Sequence, residues 1–522
     1  MNTVRESRET WDVIVIGGGA TGLGTAIDAA SRGFRTLLVE QADFGQATSS
    51  RSTKLIHGGL RYLKQGNVSL VRESLYERAL LIRNAPHLVK PLPFVVPTYS
   101  HWERIYLGLG LKAYDLLAGL RGIGRSRMLS RSDTLEHLPG LKSGRVKGGV
   151  FYYDAQFDDA RLAITLAATA VNQGAAVVNY TRVEGFRRED GRINAVQIRD
   201  LETDQEITLR TRAVINATGI FTDEIRLLDE RTTWPMMRLS RGVHLVLDHE
   251  ILGGDAALMI PTLEDGRVLF AIPWQNRVVL GTTDTGVDSA VLEPKADEEE
   301  IDFLLHNASK YFNRSLTRAD VRSVFAGIRP LVSGQTETQT TAAISREHQI
   351  TVSRSGLVSV AGGKWTTYRK MAEDVVNRAL DVSGLVYRPS KTKRLRLHGA
   401  HTGHEDSWKW EGYGTDAKFL DELVQIRPEW DRLVHPKLPV RAVEVIWAVR
   451  YEMARSVEDV LSRRTRALLI DAAATIEAAP EVARLMSEEL ERNEAWIESQ
   501  LQQFIELAKQ YCLAPQAKFR PL

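Results

Sequence analysis

With 522 residues, 43% of them hydrophobic, and 68 Lys plus Arg against 66 Asp plus Glu for a formal net charge of +2, the chain reads as a globular protein long enough for two or three domains. That balance offers no global field for nucleic acid, and a single cysteine, Cys512, excludes an intramolecular disulfide framework and a cysteine-held metal while suiting a reducing cytoplasm. The first ten residues lack the apolar core of a secretory signal, and no uncharged apolar run reaches the roughly 18 residues of a membrane span, so neither is expected.

The first chemistry lies in WDVIVIGGGATGLGTAIDAASRGFRTLLVEQ. Residues 12–16 are a β-branched run stopped by glycines and followed by Ala26, Ala29 and Ala30 at helical spacing, which predicts strand, tight turn and helix. Gly17, Gly19 and Gly22 form G-x-G-x-x-G: the first permits the turn, the second lets backbone approach a pyrophosphate, and the third lets helix pack on strand. A second strand at 36–39 ends in Glu40, a carboxylate placed to accept from a ribose 2′-hydroxyl. Strand, helix, second strand and acid in register predict a dinucleotide site.

HGGLRYL at 57–63 crowds polar chemistry around two glycines, where something approaches the backbone closely. The stretch 105–124, IYLGLGLKAYDLLAGLRGIG, is apolar but interrupted by Lys112 and Asp115 and followed by Arg125, Arg127 and Arg131. It reads either as a partly buried surface helix or as a segment lying in a lipid interface. From 175 to 212 the residues alternate about a turn at Asp190-Gly191, an antiparallel meander that returns to AVINATG, strand then Ala217, Thr218 and Gly219.

RGVHLVLD, LEDGRVLFAIPW with a turn at Asp265-Gly266, and RVVLGTTD then predict a sheet platform, read as a substrate cap. A second return, LVSVAGGKWTTYRKMAED, brings a strand to Val360, then Gly362, Gly363 and a helix. Two returns to glycine-containing strand ends, without a second fingerprint for a nicotinamide cofactor, favour FAD held along its length over NAD. Beyond about 385 a basic connector leads into amphipathic helices over 440–510, with Pro480 read near a helix start and Arg463, Arg464 and Arg466 read as a solvated helix face.

The polar residues expected to face the flavin are His57, Arg61, Tyr62, His244, Thr282, Arg329, Arg346 and Lys364. Three arginines and a lysine would suit a small dianion, since guanidinium forks grip phosphate oxygens bidentately, though composition alone does not make them converge. His244, between Val243 and Leu245, reads equally as an outward-facing or core histidine.

GGGATGLGTAIDAASRG, ATSSRSTKLIHGGLRYL, RLAITLAATA, INATG, GTTD, GIRP and GGKWTTYRK together resemble the FAD-dependent glycerol-3-phosphate dehydrogenases over most of 10–380, and VRYEMARSVEDVLSRRTRALLIDA resembles their helical C-terminal domain. Thr53 stands where a serine is usual, and Trp365 where a leucine is common. The resemblance implies an interleaved α/β fold: a Rossmann-type FAD domain at 10–220 and 356–384, an antiparallel-sheet cap at 221–355, and an all-helical domain at 385–522. It implies oxidation of sn-glycerol 3-phosphate to dihydroxyacetone phosphate by hydride transfer to FAD, with electrons passed to ubiquinone or menaquinone. A quinone acceptor without a spanning helix leads to the expectation of a cytoplasmic protein held peripherally on the inner membrane, and the helical domain is read as structural, completing a homodimer or a membrane-facing surface. Arg61, Tyr62, Thr282 and Arg346 would hold the phosphate and Arg329 and Lys364 the reacting hydroxyl. His244 would be the base, near its ordinary pKa of about 6.5, with His57 in reserve. Cofactor contacts are expected at Gly17, Gly19, Gly22, Glu40, Thr48, Ser49, Ser50, Lys54, His57, Gly58, Gly59, Val183, Ala217, Gly219, Gly362, Lys364 and Thr366. The alternatives are an oxidase using O2, a flavin-binding electron-transfer subunit without its own substrate, and an amine or hydroxy-acid oxidase on the same fold.

Overall fold

The computed structural model describes residues 9–59, 67–261, 267–332, 347–401 and 409–513. Its first sheet runs in the order His348–Val352, Val358–Gly362, Gln205–Asn216, Trp11–Ile16, Thr36–Val39, Ala176–Val178. Trp11–Ile16 pairs in parallel with Gln205–Asn216 on one side and Thr36–Val39 on the other. These apolar runs are buried on both faces, as a parallel sheet covered by helices requires. Helix Ala20–Ser31 packs between helices Asp159–Asn172 and Tyr368–Ser383, and Gly24 makes this possible, because a Cβ there would lie 2.8 Å from the Tyr368 ring. The expected meander is present: Thr181–Glu189 and Arg192–Asp200 join through Asp190 and Gly191, both at positive φ (49° and 75°), the twist that suits a two-residue hairpin.

The second sheet has ten strands, in the order Thr285–Val287, Met237–Asp248, Arg277–Gly281, Leu269–Trp274, Ala257–Ile260, Val89–Thr98, Gly148–Phe157, Leu55–Ile56. Val321–Val332 pairs on Met237–Asp248, and Arg127–Leu129 on Gly148–Phe157. The expected cap segment, 221–355, therefore supplies six of these strands, and the other four come from 55–157. Prolines conceal the longest contribution that precedes Gly148. In Val89–Thr98 they fall at positions 91, 93 and 97. At even spacing their missing N–H groups all lie on one edge, so the strand's other edge keeps its donors. The turn expected at Asp265-Gly266 lies outside the described residues.

Helices Ala417–Ile426, Ala442–Tyr451, Ala472–Glu489 and Glu494–Lys509 form the C-terminal part. Their core continues directly into Val246, Trp274, Val279 and Phe325 of the second sheet, so they cover one end of one sheet face. Pro480 lies in the middle of its helix rather than near the start: Asp471 caps the helix by accepting from Ala474 N at 2.9 Å, and the alanine-rich turns that follow are already helical.

The basic run is a second correction. Arg463, Arg464 and Arg466 are buried, not solvated. Arg464 donates to Asp43 Oδ1 at 2.9 Å, Arg463 to Asp459 at 2.7 Å, and Arg466 to Asp159 at 3.0 Å. Asp43 and Asp159 belong to the nucleotide-binding part, and it is their desolvated carboxylates that draw the cations inward, since a buried charge needs a partner.

Candidate active site

The turn after Trp11–Ile16 can be made only with glycine. Gly17 has φ +108° and a Cβ there would lie 2.7 Å from Ala217 O, while a Cβ on Gly22 would lie 1.8 Å from Gly17 O. Helix Ala20–Ser31 has Gly19 as its N-cap without a capping side chain, and Ser49 Oγ accepts from Ala20 N at 3.0 Å instead. Glu40 accepts from Gly18 N at 2.5 Å and Ala42 N at 2.8 Å, and burial pushes its carboxyl up from the ordinary carboxylate range.

A cavity of about 450 Å³ follows this turn. It is lined at one end by Glu40, Thr181 and Val183, in the middle by Gly17, Gly19, Ala217 and Gly219, and at the other by Thr48, Ser49, Gly362, Lys364 and Trp365. Acid and sheet edge, then bare backbone at a helix N-terminus, then hydroxyls, glycine backbone and an aromatic wall match the ribose, pyrophosphate and ring system of FAD in turn.

Beside it, one face of the cap sheet carries polar residues in register. Pairing His244 with Phe325, and Ser240 with Arg329, puts all four on one face. Three glycines keep that face shallow. A Cβ on Gly242 would lie 2.2 Å from Arg329 Nη2, on Gly281 2.2 Å from His244 Cδ2, and on Gly327 2.8 Å from the Arg51 backbone oxygen. The segment after Ser49 lies across this furrow: Thr48 Oγ1 donates to Ile328 O at 2.7 Å, and Thr53 Oγ1 is 3.0 Å from His244 Nε2. Arg329 Nη2 donates to Thr282 Oγ1 at 2.9 Å, and its Nη1 lies 3.4 Å from Asp284.

His244 is 2% exposed, and its Nδ1 has no hydrogen-bond partner among the described residues. Burial first, then the charges of Arg329 and Lys54, hold its pKa well below the ordinary histidine value. That corrects the expectation of a histidine near 6.5. The ring is neutral because a buried imidazole flanked by cations gains too little from protonation to repay desolvation.

The structure thus brings His244, Thr282 and Arg329 together on the sheet face, and Gly17, Gly19, Glu40, Thr48, Ser49, Val183, Ala217, Gly219, Gly362 and Lys364 around the cavity. Lys364 Nζ donates to Ser74 Oγ at 2.9 Å, and Thr366 Oγ1 to His57 O at 3.3 Å. Others stand differently. Lys54 is fully buried away from the cavity, on Asp159 and Ser50 O. Ser50 is buried, with its hydroxyl turned to Gln46 O. Gly58 makes room for protein: a Cβ there would lie 2.0 Å from Tyr114 Oη, and its N–H donates to Asp154 at 3.1 Å. Gly59 has φ +81°, and Gly22 serves packing. Arg61, Tyr62 and Arg346 lie outside the described residues.

Two functional contributors escaped the sequence. Thr53, which stands where a serine is usual, is the residue whose hydroxyl meets His244. Trp365, which stands where a leucine is common, donates its indole N–H to Ser49 O at 2.8 Å.

The comparisons agree with this geometry. Residues 12–369 match the family described as FAD dependent oxidoreductase, and residues 390–497 the C-terminal domain of alpha-glycerophosphate oxidase. The chain is similar to the mitochondrial glycerol-3-phosphate dehydrogenase of Macaca fascicularis, 38% identical over 97% of this chain and 74% of that one. It is likewise similar to a probable mitochondrial glycerol-3-phosphate dehydrogenase of Caenorhabditis elegans, 39% identical over 95% of this chain and 72% of the relative. The crystal structure of the Bacillus halodurans glycerol-3-phosphate dehydrogenase complexed with FAD superposes with a TM-score of 0.79 at 30% identity, covering 99% of this chain and 98% of that one. Family match, near-full-length identity and a cavity shaped for the cofactor agree that FAD is the cofactor and that the chain belongs to the FAD-dependent glycerol-3-phosphate dehydrogenases.

Proposed function

We propose that this chain oxidises sn-glycerol 3-phosphate at C2 to dihydroxyacetone phosphate and passes the electrons to a membrane quinone, ubiquinone or menaquinone. One observation carries the reading: His244, Thr282 and Arg329 share one face of the cap sheet, and the segment crossing that face begins at the cavity wall, Thr48 and Ser49. Bound FAD supplies the acceptor for the C2 hydride. The chain's own residues hold the substrate and move its proton. A neutral His244 accepts the hydroxyl proton as the hydride leaves, which a protonated ring would not do. Arg329 and Lys364 stabilise the negative charge developing on that oxygen. Thr282, next to Arg329, holds the phosphate with Arg61, Tyr62 and Arg346, and His57 belongs to the cofactor side. In this reading 10–220 with 356–384 carries FAD, and the strands that 221–355 adds to the ten-stranded sheet carry the substrate.

A quinone acceptor requires contact with lipid. No helix among the described residues is long and apolar enough to cross a membrane. The reading is peripheral attachment through helix His101–Ala118, whose outer face exposes Trp102 (81%), Tyr106 (65%), Leu109 (66%) and Leu116 (83%) while Leu111 and Tyr114 pack inward. A cleft at the end of that helix, lined by Arg83, Arg121, Lys393 and Arg394, adds the cationic complement to such a stripe.

Anaerobic titration of the purified protein with glycerol 3-phosphate, followed at the oxidised flavin band, tests the reaction. Loss of the band at stoichiometric substrate is expected, and a band that persists in excess substrate would overturn the assignment.

A further inference from the structure

Lys54 combines three unusual properties. It is a fully buried lysine, it is a non-glycine residue at φ +63°, and it follows the threonine that meets His244. Its ammonium donates to Asp159 Oδ2 at 2.7 Å, Asp159 Oδ1 at 2.9 Å and Ser50 O at 3.0 Å. Arg466, from the C-terminal part, donates to the same two acceptors: Ser50 O at 2.8 Å and Asp159 Oδ1 at 3.0 Å. Asp159 also accepts from Ser52 N at 2.9 Å and Ser52 Oγ at 2.7 Å, so one carboxylate fastens both sides of Thr53.

The cluster joins Lys54 and Arg466 to Asp159, with Asp158 Oδ1 3.5 Å from Arg466 Nε, and its cations face aromatic rings. Lys54 Nζ lies 5.0 Å from the Phe325 ring centre and 5.6 Å from that of Trp274, and Arg466 lies 5.7 Å from the Trp274 ring. On Phe325, in turn, stacks His244, with centroids 4.7 Å apart and planes 10° from parallel. A left-handed backbone at a lysine is strained and persists only where surroundings over-determine it. Here a shared carboxylate and a shared carbonyl do so.

We propose that Lys54, Asp159 and Arg466 are a positioning triad for the proton-accepting His244. The triad fixes the left-handed turn that aims Thr53 Oγ1 at His244 Nε2, and it holds the Lys54 ammonium against Phe325, the ring on which His244 stacks. The helical C-terminal part thereby contributes to the reaction through Arg466. The proposal rests on His244 being the base. The charged groups acting on His244 are Arg329 on the neighbouring strand, then Lys54 and Asp159, and the two triad members push its protonation in opposite directions. Lys54 itself is held down to about 8, by burial first and by Arg466 in addition, against the pull of Asp159.

The test uses the FAD-loaded full chain labelled at histidine Cε1 with ¹³C, His244 being assigned from the signal lost in His244→Asn. Lys54→Met removes one positive charge and should move the His244 titration upward; Asp159→Asn removes the negative charge and should move it downward. At an effective dielectric of about 20, shifts on the order of one pH unit are expected for charges this close. The acid limb of anaerobic flavin reduction should move the same way. Arg466→Met repeats the charge change of Lys54→Met from the other side, and carries the test if Lys54→Met does not fold. Variants that only lower the unfolding temperature, with the His244 titration unmoved or moved in one direction by all three, would overturn the triad. If His244→Asn keeps the wild-type flavin reduction rate, the base assignment fails, while the opposite shifts of the His244 signal would still stand or fall independently.

Discussion

Trp365 Nε1 donates to the backbone carbonyl of Ser49 at 2.8 Å, joining the turn that starts the last cofactor-side helix to the loop that follows Glu40. The indole also meets the edges of Phe157, at 5.4 Å, and Tyr368, at 6.0 Å, so one side chain ties three segments that the cavity brings together.

Trp365→Leu keeps an apolar wall but removes this donor and leaves the Ser49 carbonyl without it. A hydrogen bond of this kind contributes about 0.5–1.5 kcal/mol, so FAD should dissociate several-fold faster with the fold intact. Flavin fluorescence released on dilution measures it, and unchanged retention would show that Ser49 is held by other means.

Gly281→Ala places a methyl 2.2 Å from His244 Cδ2. Overpacking of a tight site costs about 1–3 kcal/mol, and the ring, not the strand, is the group able to turn. Rapid-mixing measurements should show flavin reduction slowed by about tenfold or more at unchanged FAD content. A normal rate would mean that the proton acceptor is not His244 in this position.

The exposed stripe on His101–Ala118 predicts that Leu109→Glu with Leu116→Glu abolishes flotation with anionic liposomes while sparing glycerol 3-phosphate oxidation by a soluble dye. Leu111→Glu is a different experiment: Leu111 is buried, so that change should lower stability by about 2–5 kcal/mol. Equal flotation of the double variant and the parent would remove this helix from the membrane contact.

His87 gives an acid-stability prediction. Burial, followed by repulsion from His401 and His398, holds it down to about 4, and its Nδ1 has no hydrogen-bond partner among the described residues. Unfolded, it titrates near 6.5. Between those values the unfolded chain binds the extra proton, so this contribution is intact above about 6.5 and is lost as pH falls toward 4. Thermal unfolding from pH 7 to 4.5 should show a shallower loss for His87→Gln than for the parent, and parallel curves would assign the acid limb to other groups.

The sequence by itself determined the parts whose physics is local. The Gly17–Gly22 turn, the Asp190-Gly191 hairpin and the parallel strands at 11–16 and 36–39 follow from backbone freedom and apolar runs within a few residues, and the structure has them where the spacing put them. What it could not determine is what each charged or small residue meets. Arg464 finds Asp43 across 421 positions and Arg466 finds Asp159 across 307, turning an apparent solvated face into buried pairs. Gly58 is small for the sake of Tyr114, His244 is neutral because of its burial and of Arg329 and Lys54, and a strand with three prolines survives because their even spacing confines the missing donors to one edge while it pairs along its whole length with Gly148–Phe157. Burial, desolvation and steric fit are properties of the assembled core, set by groups that come together only when distant segments pack.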